Sequence, residues 1–292
     1  MKLNLFRFIL AALFVLIAVS SWAQTSVWVV KSGNTTVYLA GSIHMLRASD
    51  HPLPAEFFRA YENSRQIIFE TLPGEMEKTE NMEKFIRASV YSDGTTLRDH
   101  ISPEAYARAE SFCKVNNYPM NRFIYLRPIF FLMTLTVLQT NKLGADAKRG
   151  VDAFFKEKAL NDGKMITGLE TVEQQINFLT SLDSAMEESQ ILKSIDELKQ
   201  IETLFLNAVN AWRKGDEKLI AKSYPERMKD FSQAYKSIIT NRNKQWLKTI
   251  EKCLKEPGNT MLIVGLAHLP GEEGIINLLR KSGYEVVKLQ NR

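Results

Sequence analysis

The segment Thr36-Val37-Tyr38-Leu39-Ala40-Gly41-Ser42-Ile43-His44 and the segment Thr260-Met261-Leu262-Ile263-Val264-Gly265-Leu266-Ala267-His268 share one pattern: a five-residue strand-like run, a glycine, two residues and a histidine. Such short apolar and β-branched runs read as strands buried in a sheet. The carboxyl end of each strand delivers the chain to the sheet's rim, the glycine permits close backbone approach, and the imidazole is held there. Two of the chain's four histidines share this context, and the pairing suits a common metal ion or an acid–base pair. Taken singly, a histidine at a strand end reads as a structural hydrogen bonder.

Two carboxylates end apolar runs in the same way: Glu70 closes Ile67-Ile68-Phe69-Glu70 and Glu170 closes Ile166-Thr167-Gly168-Leu169-Glu170. A glutamate so placed is costly to bury unless it is paired, coordinated or hydrogen-bonded, so each is a candidate ligand or general base beside the histidines. For Glu170 the alternative is a charge at the N-terminus of a helix starting at Thr171. Arg242, followed by Asn243, reads either as a clamp for a carboxylate or oxyanion or as part of a solvated helix face. His51 and His100 lie in polar stretches and read as surface residues. Asp152, after Gly150-Val151, reads as a charge at a helix start rather than as part of a site.

Outward from these segments, residues 26–30 and 35–40 flank a Lys31-Ser32-Gly33-Asn34 turn and predict a hairpin. A helix follows Pro52 and Pro54, a short buried strand covers 66–70, and another covers 164–169. Helical periodicity dominates 75–163, with Ser102-Pro103 as a helix start and Gly144 and Gly163 as stops, and again 171–256. There Ser184 and Glu187 suggest a capping box, and Tyr224-Pro225 opens the last long helix. After the break at Pro257-Gly258-Asn259 come a strand, a helix over 271–281 and a final strand over 284–289. The fold class expected is α/β (α+β): two sheet-bearing halves carrying the paired G-x-x-H motifs, with a large helical insertion, about 75–256, between them.

Lys2, Arg7, the 12-residue apolar run 8–19 and the small residues Ser21 and Ala23 mark residues 1–23 as a signal peptide preceding a single domain over 24–292. The run falls short of the roughly 20 residues that span a bilayer. An exported protein is expected, periplasmic in a Gram-negative source and otherwise secreted. A second apolar stretch, 123–138, contains Arg127 and Pro128 and reads as a buried helix starting at the proline, with a platform for lipid or a partner as the less favoured alternative.

Composition of 45% hydrophobic, 24% charged and 10% aromatic residues is that of a globular protein and excludes disordered, collagenous and coiled-coil classes. The net charge of +5 falls to +3 once Lys2 and Arg7 are removed, too little to argue for nucleic acid. Cys113 and Cys253 form no C-x-x-C pair, which excludes a disulfide framework or cysteine zinc site and leaves one bridge open. No H-E-x-x-H helix, G-x-S-x-G elbow, phosphate loop or dinucleotide fingerprint occurs.

The ordered set Leu39-Ala40-Gly41-Ser42-Ile43-His44, Phe69-Glu70, Gly150-Val151-Asp152, Gly168-Leu169-Glu170-Thr171 with Gln174, Arg242-Asn243 and Val264-Gly265-Leu266-Ala267-His268-Leu269-Pro270-Gly271, closed by Gly283-Tyr284, resembles the TraB/GumN family, which includes the Tiki-like metalloproteases. The resemblance covers residues 27–289. It implies that both G-x-x-H motifs and a glutamate meet at one site, with His44, Glu70 and His268 as ligands of a divalent metal (manganese, cobalt or zinc) and Glu170 and Arg242 as supporting or catalytic residues. The function expected is an exported metal-dependent hydrolase, foremost a peptidase, acting on a peptide or small-molecule substrate. The alternative is a non-catalytic periplasmic peptide- or ligand-binding protein on the same fold.

Overall fold

Among the described residues there are eight strands, the longer ones rich in β-branched and apolar residues: β1 (Val27–Ser32), β2 (Thr35–Ser42), β3 (Leu46–Arg47), β4 (Gln66–Thr71), β5 (Ala145–Asp146), β6 (Met165–Glu170), β7 (Thr260–Gly265) and β8 (Val286–Lys288). The structure is a computed structural model, and it describes residues 25–223 and 235–290. The expected signal peptide and the helix start at Tyr224-Pro225 lie outside the described residues. Six strands form one sheet in the order β6-β4-β7-β2-β1-β8. The four strands β6, β4, β7 and β2 run parallel, while at one side β1 pairs antiparallel with β2 and β8 pairs antiparallel with β1. The central strands are near-continuous apolar runs, as a sheet covered on both faces requires, and Leu39, Ile67, Phe69, Met261 and Val264 are buried.

The helices are α1 (Ala55–Glu62), α2 (Thr79–Ser89), α3 (Leu97–His100), α4 (Pro103–Val115), α5 (Pro128–Lys142), α6 (Val151–Asn161), α7 (Val172–Ala185), α8 (Glu188–Leu198), α9 (Ile201–Lys214), α10 (Glu217–Ser223), α11 (Arg242–Lys255) and α12 (Ile275–Lys281). A π-helical stretch, Lys236–Asn241, leads directly into α11. Helices α1, α6, α9, α11 and α12 pack on the sheet, whereas α3, α4, α5 and α8 enclose a second apolar core around Leu97, Phe112, Phe131, Leu135 and Ile195. Trp212 of α9 ties the helical middle to the sheet: its indole N–H donates to the Gly41 carbonyl at 2.9 Å, and its own carbonyl accepts from Ser26 Oγ at 2.7 Å. The expected fold class therefore holds, with the two sheet-bearing halves merged into one six-stranded sheet.

Local details follow from chain chemistry. Ser102 caps α4, its Oγ accepting from Ala105 N at 3.0 Å. Pro128 occupies the first turn of α5, as the 123–138 reading expected. Among the described residues no helix is long and apolar enough to cross a membrane. Ser184 is not a helix cap: it lies inside α7 with its hydroxyl donating to the Thr180 carbonyl, and the start of α8 belongs to Glu187, whose N–H donates to Gln190 Oε1 at 3.2 Å. The helix expected from 271 begins at Ile275 because a 3-10 turn, Leu266–His268, and a tight bend intervene. Cys113 and Cys253 are both free thiols.

Candidate active site

The carboxyl ends of parallel strands face one side of a sheet, and that side is where open α/β folds place their ligands. Here β6 delivers Glu170, β4 delivers Glu70, β7 delivers Gly265 and, after its 3-10 turn, His268, while β2 delivers Ser42 and His44. A cleft of about 530 Å³ opens at this rim, lined by Ser42, His44, Glu70, Asp152, Gln175 and Gly265 among others. A side chain carbon at Gly265 would stand 3.1 Å from Glu70 Oε1, 3.5 Å from His268 Cδ2 and 3.7 Å from His44 Nε2. A carboxylate and two imidazoles thus converge on the α-carbon of Gly265, where an added side chain would crowd Glu70.

His44 is held by a partner that sequence reasoning set aside. The small antiparallel pair of β3 and β5 draws the segment after His44 against the start of α6, and Val151 N donates to the Ile43 carbonyl at 3.1 Å. Gly150 fits only because it lacks a Cβ, which would lie 2.3 Å from the His44 carbonyl oxygen. Asp152, read as a plain helix-start charge, is therefore corrected to a site residue: its Oδ1 lies 3.1 Å from His44 Nδ1 and also accepts from the Ser42 hydroxyl. Its distance in sequence from His44 hid it, and the only available signal was the Gly150-Val151-Asp152 motif. A carboxylate only accepts, so Nδ1 carries a proton and Nε2 is presented to the cleft. The Asp152 charge pushes His44 up to about 9, and burial raises Asp152 less than His44 and Ser42 lower it.

His268 is organised differently. Asn243 Nδ2 donates to the carbonyls of His268 and Glu273 at 3.1 and 2.8 Å, which fixes the amide so that its Oδ1 accepts from His268 Nδ1 at 2.7 Å. Nε2 is then a lone pair, and it accepts from Arg242 Nη1 at 3.1 Å. The ring is buried against Trp246, 4.5 Å between centroids, and burial pushes its basicity down to about 3, so it is neutral at physiological pH.

Arg242 is buried at 7% exposure, which removes the solvated-face reading. All five of its N–H groups have acceptors. Nε and Nη2 form a fork on Glu170 at 3.1 and 2.6 Å, Nη2 also reaches Glu70 Oε2 at 2.6 Å, and Nη1 takes His268 Nε2 and the Ile238 carbonyl, the latter at 3.4 Å. Its guanidinium lies over Trp246 and Phe178, with 4.6 and 5.6 Å to the ring centroids. Glu170 receives in addition the Trp246 indole N–H at 3.2 Å, so both its oxygens are taken and it faces Arg242 rather than the cleft. Glu70 accepts Gly265 N at 2.7 Å on its other oxygen. Burial raises Glu70, but Arg242, the histidines and the Gly265 amide together bring it down to about 2. His51 and His100 stand apart from this cluster, on the Arg149 carbonyl and against Tyr91 respectively.

The three residues implied as metal ligands thus meet at one rim, and both imidazoles have the tautomer that would suit ligation. As arranged, however, they do not fit a three-ligand ion. His268 Nε2 faces a permanent cation, Glu70 is engaged by that same cation, and among the described residues no three His, Cys, Asp or Glu side chains are grouped to hold a metal.

The site and sheet define a mixed α/β protein with a cluster of titratable side chains at the carboxyl rim of its parallel strands. The chain belongs to the TraB/PrgY/gumN family, whose profile matches residues 26–288. It is 22% identical over 252 residues to the uncharacterized protein YbaP of Escherichia coli, covering 85% of this chain and 89% of the relative, and equally similar to YbaP of Shigella flexneri. It is also 22% identical over 191 residues to a protein of Amphimedon queenslandica named a metalloprotease TIKI homolog, covering 56% of this chain and 37% of that one. No solved structure matches the chain.

Proposed function

We propose that this protein is a hydrolase that adds water across the amide bond of a peptide or small-molecule substrate, with Glu70 as proton acceptor and His44 as proton donor. The observation that carries the reading is the convergence of these two groups in one cleft, with environments that push them to opposite charge states, Glu70 ionised and His44 protonated at neutral pH. The name of the Amphimedon queenslandica relative supports a peptide as substrate. In this scheme the water oxygen bonds to the carbonyl carbon as one water proton passes to Glu70. His44 Nε2 polarises the carbonyl and gives its proton to the departing nitrogen as the carbon–nitrogen bond breaks, and the proton on Glu70 then returns to His44. Asp152 keeps the His44 ring oriented, while Arg242 and Gly265 N keep Glu70 ionised and aimed.

The same relative's name supports a metal-dependent version of the reaction, for which manganese, cobalt or zinc would be the candidate ions. The engagement of His268 and Glu70 by Arg242 supports the version without one. The proposal includes export directed by residues 1–23, to the periplasm in a Gram-negative source, and no nucleic-acid partner. A peptide-library digest with residues 24–292, with and without chelator, tests it. Cleavage that disappears in His44→Ala is expected; no cleavage under either condition would replace hydrolysis with the ligand-binding reading.

A further inference from the structure

We infer that the guanidinium of Arg242 is the resident cation of this site and stands where a divalent ion shared by His268 and Glu70 would have to be. The inference concerns how the cluster is held together and does not depend on the protein being a hydrolase.

Three observations carry it. The first is position: His268 Nε2 is within hydrogen-bond distance of Nη1, 3.1 Å away. A zinc or similar ion ligated at about 2.0–2.1 Å along that direction would sit about 1 Å from Nη1, inside the nitrogen's own radius. Ligation by His268 therefore requires Arg242 to leave. The second is what departure costs. Glu170 is buried, and without Arg242 it keeps, among the described residues, only the Trp246 indole N–H. An uncompensated buried carboxylate is among the most destabilising defects a protein can carry. Arg242 is also packed over two aromatic rings, and its backbone lies where the π-helical stretch passes directly into α11, inside one continuous helical run. The third is saturation: five donors meet five acceptors, which is the satisfied state of a structural cation and leaves no N–H for a substrate oxyanion. Arg242 is by this argument a positioning residue, acting on substrate through Glu70.

The polarising charge in the cleft then belongs to His44, the imidazole that lines it, and His268 is a neutral strut between Arg242 and Asn243.

The test reads metal and nitrogen resonances rather than turnover. Purified protein, residues 24–292, is loaded in turn with manganese, cobalt and zinc and freed of excess, beside His268→Ala and Arg242→Gln. The parent should hold far less than one ion per chain and match His268→Ala, and zinc should leave the His268 ring nitrogen signals of the parent unmoved. Arg242→Gln uncovers Nε2 and the Glu70 oxygen and should gain zinc that shifts the His268 Nε2 signal. Near-stoichiometric metal in the parent that is lost in His268→Ala, or a zinc-dependent shift of His268 in the parent, overturns the inference. So does a folded Arg242→Gln as poor in metal as the parent. If that variant fails to fold, the parent's His268 signals decide alone. A parent that is metal-free and cleaves no peptide leaves the inference standing while removing the hydrolase reading.

Discussion

The two G-x-x-H motifs have the same spacing and sit on neighbouring parallel strands, yet their histidines live in opposite environments. His44 has a side chain 63% exposed in the cleft, whereas His268 is 4% exposed behind it. The cause is a one-residue offset in register: Ser42, not Gly41, stands beside Gly265. In a sheet a shift of one residue exchanges the two faces. The missing side chain of Gly41 accordingly points at Leu266 and Leu269 in the core, while that of Gly265 points at Glu70, His268 and His44. Beyond the strands, the β2 motif continues into extended chain toward β3, and the β7 motif turns back through a 3-10 helix that seats His268 on Trp246. An identical motif thus yields one exposed imidazole in the cleft and one buried imidazole behind it.

Replacing the anchor behind each histidine should break the pair most visibly. Arg242→Leu strands Glu170 and Glu70, and the expected destabilisation is about 3–5 kcal/mol by urea unfolding, as for other broken buried ion pairs. His44→Ala removes an exposed ring and its pair with Asp152 and should change stability by no more than about 1 kcal/mol. Cleavage in that variant should nevertheless fall about 10²–10⁴-fold, the span of a lost proton-transfer group. Equal stability losses in the two variants would show that the halves are not divided into scaffold and reagent.

Acid should separate them next. The folded value of His268, about 3, lies below its ordinary 6.5, so the unfolded chain binds the extra proton between those values. Stability contributed by His268 is therefore lost as pH falls from about 6.5 toward about 3. Glu70, lowered from 4.5 to about 2, adds a loss of the same sign in the more acid part of that range. Urea midpoints measured from pH 7 to pH 4 should fall less steeply in His268→Asn than in the parent. Parallel slopes would mean that the buried ring is charged in the folded protein.

The sheet and its rim were legible in the sequence because apolar, β-branched runs leave few choices, and because Glu70, Glu170 and both histidines end such runs. Arg242 could be nominated from sequence but not assigned, since a basic helix face and a buried guanidinium look alike until the partners of α11 are known. Asp152 was lost to the simpler reading of an acidic helix start, which is correct locally and silent about a contact 108 residues away. The contrast between the two histidines was invisible for a different reason: register is a property of the paired strands, and neither motif carries it alone. Gly150 is informative in retrospect, since only a residue without Cβ brings α6 close enough to His44 for Asp152 to reach it.

The smallest effect concerns that contact. His44 sits near 9 chiefly because of the Asp152 charge. A raised value means that the stabilising ion pair is complete below the ordinary 6.5 and is lost as pH rises through about 9. On the exposed side of the cleft such a pair is worth no more than about 1 kcal/mol. Asp152→Asn keeps an acceptor for Nδ1 but removes the charge, so unfolding should change little while the His44 titration moves toward 6.5. If His44 donates a proton in turnover, activity in the parent declines as pH rises through about 9, and in Asp152→Asn that decline moves to lower pH. Activity that instead rises through the His44 titration would make this imidazole the base and Glu70 its electrostatic partner, reversing the two roles while leaving His268 where it is.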